Sequence, residues 1–133
     1  MHPLSNMQVF AISADSVSNY QPKNGKTLLI RILDDNYEYK PIQYLDNYES
    51  VYEMNIIDID LTHYEHNDID DIKLMFKDTL FTQKHARDLI AHLQQHDPES
   101  ISQIVVHCMA GISRSVAIAY FIAEYYLHNH VNA

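Results

Sequence analysis

Apolar and polar positions alternate along this chain in short blocks. "MQVFAIS" predicts a first strand over Met7–Ile12, and the polar segment after it suits a short helix or a loop. "YQPKNGK" carries the Pro and Asn-Gly chemistry of a turn. "TLLIRIL", Thr27–Leu33, is apolar and bounded by turn residues, as a buried strand should be. "DDNYEYKP" reads as a polar loop, and "IQYLDNY" fits neither period. "SVYEMNIIDI" predicts a third strand over Ser50–Ile59, and "THYEHND" a loop. Asp68 is placed to cap a helix over "IDDIKLMFKDTL". Thr82 is placed to cap a clearer one over "QKHARDLIAHLQQ", where Ala86, Leu89, Ile90 and Leu93 share a face. "HDPES" is a turn and "ISQIVVH" a short buried strand. "SVAIAYFIAEYYL" is apolar nearly all round, which predicts a central, buried helix. Strands alternating with helices point to an α/β fold. The expectation is one domain over residues 1–133, with a largely parallel sheet of four to five strands flanked by helices.

Composition narrows the function classes. The 47% apolar content suits a globular domain with one modest core. A formal charge of −9, with no cluster of Lys and Arg, argues against a nucleic-acid surface and against an anionic membrane. The longest apolar stretch, Val116–Leu127, is too short to span a bilayer, and the N-terminus lacks the basic and apolar regions of a signal peptide. One cysteine cannot form an internal disulfide, which agrees with a reducing, cytoplasmic setting. Any anion site in so acidic a chain must be local and sheltered.

One stretch concentrates scarce residue types. "QIVVHCMAGISRSVAIAYFIAEYY" holds the only cysteine, Cys108, one of two glycines, Gly111, and one of three arginines, Arg114. Read as strand, tight loop and helix start, "VVHCMAGISRS" turns backbone N–H groups inward. Those groups and the helix dipole together favour an anion. Gly111 permits a close backbone approach that a side chain would block. Arg114 can bridge two phosphate oxygens with its planar fork. Cys108 at the base of that cradle would be held as a thiolate, a nucleophile at neutral pH. Ser115 can donate to the sulfur and help it leave in a second step, and the His107 ring orders the loop. Cys-x5-Arg alone is a weak signal. The full His-Cys-x-x-Gly-x-x-Arg-Ser between a buried strand and an apolar helix is a strong one. The bland reading, a buried cysteine packing as a small hydrophobe, explains the cysteine but not its company.

"HCMAGISRS" resembles the signature loop of the cysteine-dependent protein tyrosine phosphatases, in particular compact bacterial members of the dual-specificity branch. The likeness is close over Ile104–Ala119. It weakens upstream, where "LLIRI" and "VYEMNIIDID" follow the same order of elements. The resemblance implies a phosphomonoester hydrolase with a phosphocysteine intermediate and no cofactor or metal. Cys108 would attack phosphorus, while Met109, Ala110, Gly111, Ile112, Ser113 and Arg114 bind the phosphate and Arg114 steadies the transition state. The substrate would be a phosphorylated protein, on tyrosine or on mixed residues, or a small phosphomonoester. Met109, Ala110 and Ile112 stand where lipid- and inositol-phosphate relatives tend to carry Lys, which disfavours highly charged substrates. A homodimer is a candidate assembly.

The general acid is a choice among aspartates. The resemblance puts it on Asp58, at the end of "NIIDID", with Asp60 second; by distance from the cysteine, Asp71 or Asp78 fits better, and Asp68 and Asp70 stay in the field. A phosphate-binding module of the same fold that does not catalyse is the alternative from another class. Sulfur transfer or arsenate reduction ranks lower, since a reductase would want a second cysteine. His85, His92 and His96 fall on one helical stripe, and His92 with His96 could meet a divalent metal, but a solvent-facing edge is the simpler expectation. His63 and His66 sit in the acidic loop with the same expectation. Tyr37, Tyr39 and Tyr64 are candidates for a wall against a phosphotyrosine ring, and equally for half-buried packing.

Overall fold

A computed structural model describes residues 7–23, 25–35, 37–56, 81–109 and 114–130. Within them the four expected strands appear as β1 (Gln8–Ser13), β2 (Lys26–Leu33), β3 (Ser50–Asn55) and β4 (Ile101–Cys108). They form one sheet in the order β1-β4-β2-β3, with every pairing parallel. Three helices among the described residues accompany it: α1 (Ala14–Asn19), α2 (Gln83–Leu93) and α3 (Arg114–His130). The architecture is α/β, a parallel sheet flanked by helices.

Strand pleating sorts the side chains. On one face Leu28, Ile30 and Ile32 of β2 meet Ile104, Val106 and Cys108 of β4. There they pack with Leu89 and Leu93 of α2 and with Ile118, Ala119, Ile122 and Tyr126 of α3. On the other face Leu29 and Val105 pack with Val17 of α1 and with Tyr48. β2 and β4 are central and covered on both sides, which is why they read as continuous apolar runs rather than as alternating ones. Each fully buried aliphatic side chain here stabilises the fold by about 1.5–3 kcal/mol.

Local signals set the element ends. The Thr82 side chain accepts from the His85 backbone N–H, and the His85 ring accepts in return from the Thr82 N–H, a complete capping box for α2. The Ser13 hydroxyl caps α1 by accepting from Ser16 N–H, so the polar segment after β1 is a short helix. Gly25, in the Asn-Gly turn before β2, has φ 105°, and a Cβ there would stand 2.7 Å from Ser102 Oγ. "IQYLDNY" resolves into a single 3-10 turn at Leu45–Asn47.

Some expectations need correcting. α3 is not buried all round: Ile118, Ile122 and Tyr126 face the sheet, while Val116, Tyr120 and Leu127 are 49%, 68% and 48% exposed. A helix lying on one face of a sheet has only one face to bury, whatever its composition. β1 runs one residue further than expected, because Ser13 still pairs with Cys108. β3 stops at Asn55; the rest of its expected span beyond Ile56, and the expected helix after Asp68, lie outside the described residues. No helix among the described residues is long and apolar enough to cross a membrane.

Candidate functional site

In a parallel sheet all the strands end at the same edge, and ligands of such folds bind there. Cys108 is the last residue of β4, on the face shared with α2 and α3, and it is 2% exposed. α3 begins at Arg114, so only residues 109–113 separate strand and helix along the chain. The Met109 carbonyl accepts from Ala14 N–H at 3.1 Å, which ties the start of that loop to the β1–α1 junction. Ala110, Gly111, Ile112 and Ser113 lie outside the described residues.

The two ends of the loop meet. Cys108 Sγ lies 3.1 Å from Ser115 Oγ, and Ser115 is fully buried. A thiol donates across that contact, whereas a thiolate would accept from the hydroxyl. Arg114 is also buried, and its partners come from other strands. Its Nη1 donates to Asp34 Oδ1 at 2.7 Å and to the Ile56 carbonyl at 2.9 Å, and its Nη2 donates to Asp34 Oδ2 at 3.2 Å. Asp34 follows directly on β2 and Ile56 on β3, so the ends of two neighbouring strands converge on one guanidinium.

His107 points to the opposite face from Cys108, as pleating requires of adjacent residues. It is fully buried beside Arg31 of β2, its register partner. Arg31 Nε donates to His107 Nε2 at 2.9 Å, which leaves Nδ1 to carry the proton, 3.4 Å from the Cys108 carbonyl. Burial and the Arg31 charge push the imidazole down to about 4, so it stays neutral near pH 7. A neutral ring donating toward the Cys108 carbonyl suits a loop-ordering role. Arg31 Nη1 also pairs with Glu53 Oε2 at 3.3 Å, completing a row Glu53–Arg31–His107 across the sheet.

Tyr39 links the two arginines. Its ring lies under the Arg31 guanidinium, 5.8 Å from the centroid, and meets His107 edge-on. Its hydroxyl accepts from Asp34 N–H at 2.8 Å and donates to Asp34 Oδ2 at 3.4 Å. Burial, followed by the charge of Asp34, raises the Tyr39 phenol, which keeps it a donor. Tyr37 packs edge-on against Tyr39, with centroids 4.6 Å apart, and is 43% exposed.

No family model, curated protein or solved structure matches this chain.

Of the residues singled out in the sequence, Cys108, Arg114, Ser115, His107 and Met109 come together at the carboxyl edge. Asp58, Asp60, Asp68, Asp70, Asp71 and Asp78 lie outside the described residues, as do His63, His66 and Tyr64. Sequence reading overlooked Asp34 and Arg31. Asp34 sat in a segment dismissed as polar loop. Arg31 carried a signal, a lone charge inside the apolar run "TLLIRIL", which demands a partner once the strand is buried. The histidine stripe of α2 also differs from expectation. His92 is half-buried rather than solvent-facing: its Nε2 is 3.1 Å from Ser50 Oγ and its ring 4.8 Å from that of Tyr52. Burial, and then the neighbouring His96, lowers its proton affinity.

The arrangement places a buried thiol with a hydroxyl on it beside a helix start, with the buried Arg114 guanidinium at the same edge. The Asp34 carboxylate accepts at both oxygens from Arg114.

Proposed function

We propose that the protein is a cysteine-dependent phosphomonoester hydrolase acting through a phosphocysteine intermediate on phosphotyrosine or mixed protein phosphates. The observation that carries this reading is the 3.1 Å approach of Cys108 Sγ to Ser115 Oγ where buried β4 gives way to α3, with Arg114 opening that helix. The resemblance of "HCMAGISRS" to the phosphatase signature supports it from the sequence side. The Cys108 thiolate attacks phosphorus, and the ester oxygen leaves with a proton from a carboxylic acid. Water then attacks the phosphocysteine and releases phosphate and the thiolate. Arg114 and the loop amides, from Met109 through Ser113, balance the charge gathering on the equatorial oxygens. Ser115 donates to the departing sulfur in the second step. Asp58 is the first candidate for the acid.

The test is hydrolysis of p-nitrophenyl phosphate by the full chain, with inhibition by vanadate. Cys108→Ser should abolish turnover while inorganic phosphate still binds. Full activity in that variant would rule the mechanism out. Phosphopeptide binding without turnover at any pH from mild acid to neutral would favour a binding module instead.

A further inference from the structure

We infer that Asp34, oriented by Tyr39, is the positioning residue that sets the Arg114 guanidinium for phosphate. The inference rests on the phosphatase reading and adds to it a residue far from the signature loop in sequence. Asp34 meets the fork at two points, 2.7 Å and 3.2 Å, and the Ile56 carbonyl holds Nη1 from a third direction at 2.9 Å. A guanidinium has five N–H donors in one plane, so three fixed bonds define that plane. The carboxylate takes the Nη1–Nη2 end.

The clamp is itself held. Tyr39 closes the loop after β2 by bonding both the Asp34 N–H and Oδ2. Asp34 is also anchored by the end of a strand whose core residues are fully buried. A long, flexible arginine loses much rotamer freedom when it binds an anion. An internal carboxylate that has already ordered it removes that cost from the catalytic step, and a small misplacement of such a group can cost roughly 100-fold in rate. The local charge also fits: Asp34 offsets the buried cation when the site is empty.

The experiment compares wild type, Asp34→Asn and Asp34→Glu for p-nitrophenyl phosphate turnover, and measures inorganic phosphate binding in each on a Cys108→Ser background. Asp34→Asn should lower kcat roughly 10- to 100-fold with KM little changed. Inorganic phosphate, a ground-state ligand, should bind within a few-fold of wild type. Asp34→Glu, which keeps the charge and can re-form the fork, should recover part of the loss. A purely structural role would move the unfolding temperature of both variants alike without that kcat-against-KM split or that rescue. Turnover within twofold of wild type in Asp34→Asn overturns the proposal, and so does tighter phosphate binding, which would make Asp34 a competitor of the substrate. Should Asp34→Asn fail to fold, Tyr39→Phe removes only the hydroxyl that orients Asp34; a severalfold drop in kcat upholds the proposal and an unchanged kcat overturns it. A wild-type chain that neither turns over the ester nor binds phosphate ends the phosphatase reading and this proposal together. An active wild type indifferent to Asp34 and Tyr39 ends this proposal alone.

Discussion

Arg31 and Arg114 sit near the same edge of the sheet and are put to opposite uses. Arg114 opens α3 and is gripped by Asp34 at both ends of a carboxylate, with only 8% of its side chain exposed. Arg31 lies on the other face, and among the described residues its ion pair is a single 3.3 Å contact to Glu53, whose side chain is 56% exposed. Its shorter bond, 2.9 Å, goes to a neutral histidine. One arginine is fixed by Asp34 and the Ile56 carbonyl at the edge where the buried Cys108 ends its strand. The other adds to burial in keeping His107 unprotonated, with its Nδ1 3.4 Å from the Cys108 carbonyl. Charge alone does not distinguish them. The number and direction of their fixed partners do.

The largest expected effect breaks the comparison at Arg114. Arg114→Lys keeps the charge but loses the fork, and kcat/KM for p-nitrophenyl phosphate should fall roughly 10²–10³-fold in a folded protein. An equal loss from Arg31→Lys would erase the distinction between the two arginines.

Next comes the pH dependence that Arg31 helps to impose. The folded-state His107 value of about 4 lies below its ordinary 6.5, so the folded protein keeps the ring neutral where the unfolded chain protonates it. Stability is therefore full above about pH 6.5 and declines as pH falls toward about 4. The span for this residue is about 3 kcal/mol, an order-of-magnitude figure for a fully buried ring. Urea unfolding at a series of pH values should show that decline, and His107→Gln should flatten it.

Arg31→Met comes third. It leaves His107 Nε2 buried without its donor and should lower stability by about 1–3 kcal/mol at neutral pH. It should also shorten the acid decline from its lower end, since burial, the larger cause, persists. Activity should fall far less than in Arg114→Lys. The smallest effect belongs to Glu53→Gln. A single exposed contact is worth about 1 kcal/mol or less, and its contribution should shrink in high salt. A larger loss would mean that Glu53 sets the position of Arg31.

Much of this was readable in order along the chain. Thr82, Gly25 and the apolar runs of β2 and β4 are local devices, and short-range physics places them where the pattern predicts. Cys108, Arg114 and Ser115 were legible as a site because the loop that unites them is itself short. α3 misled, since an all-apolar helix and a half-exposed one can share a composition. Asp34 could not be singled out, because the chain holds 18 acidic residues and nothing local marks the one that faces Arg114.

By itself, then, the sequence determined the four strands, their parallel α/β arrangement and the gathering of Cys108, Arg114 and Ser115 at one edge, because each depends on residues close together in the chain. Only the tertiary structure decided which carboxylate grips Arg114 and which cation adds to burial in keeping His107 neutral. Both follow from the order β1-β4-β2-β3, which brings the end of β2 beside the end of β4 across a long stretch of sequence. A strand's neighbours are set by how the whole core packs, and no short window of residues contains that information.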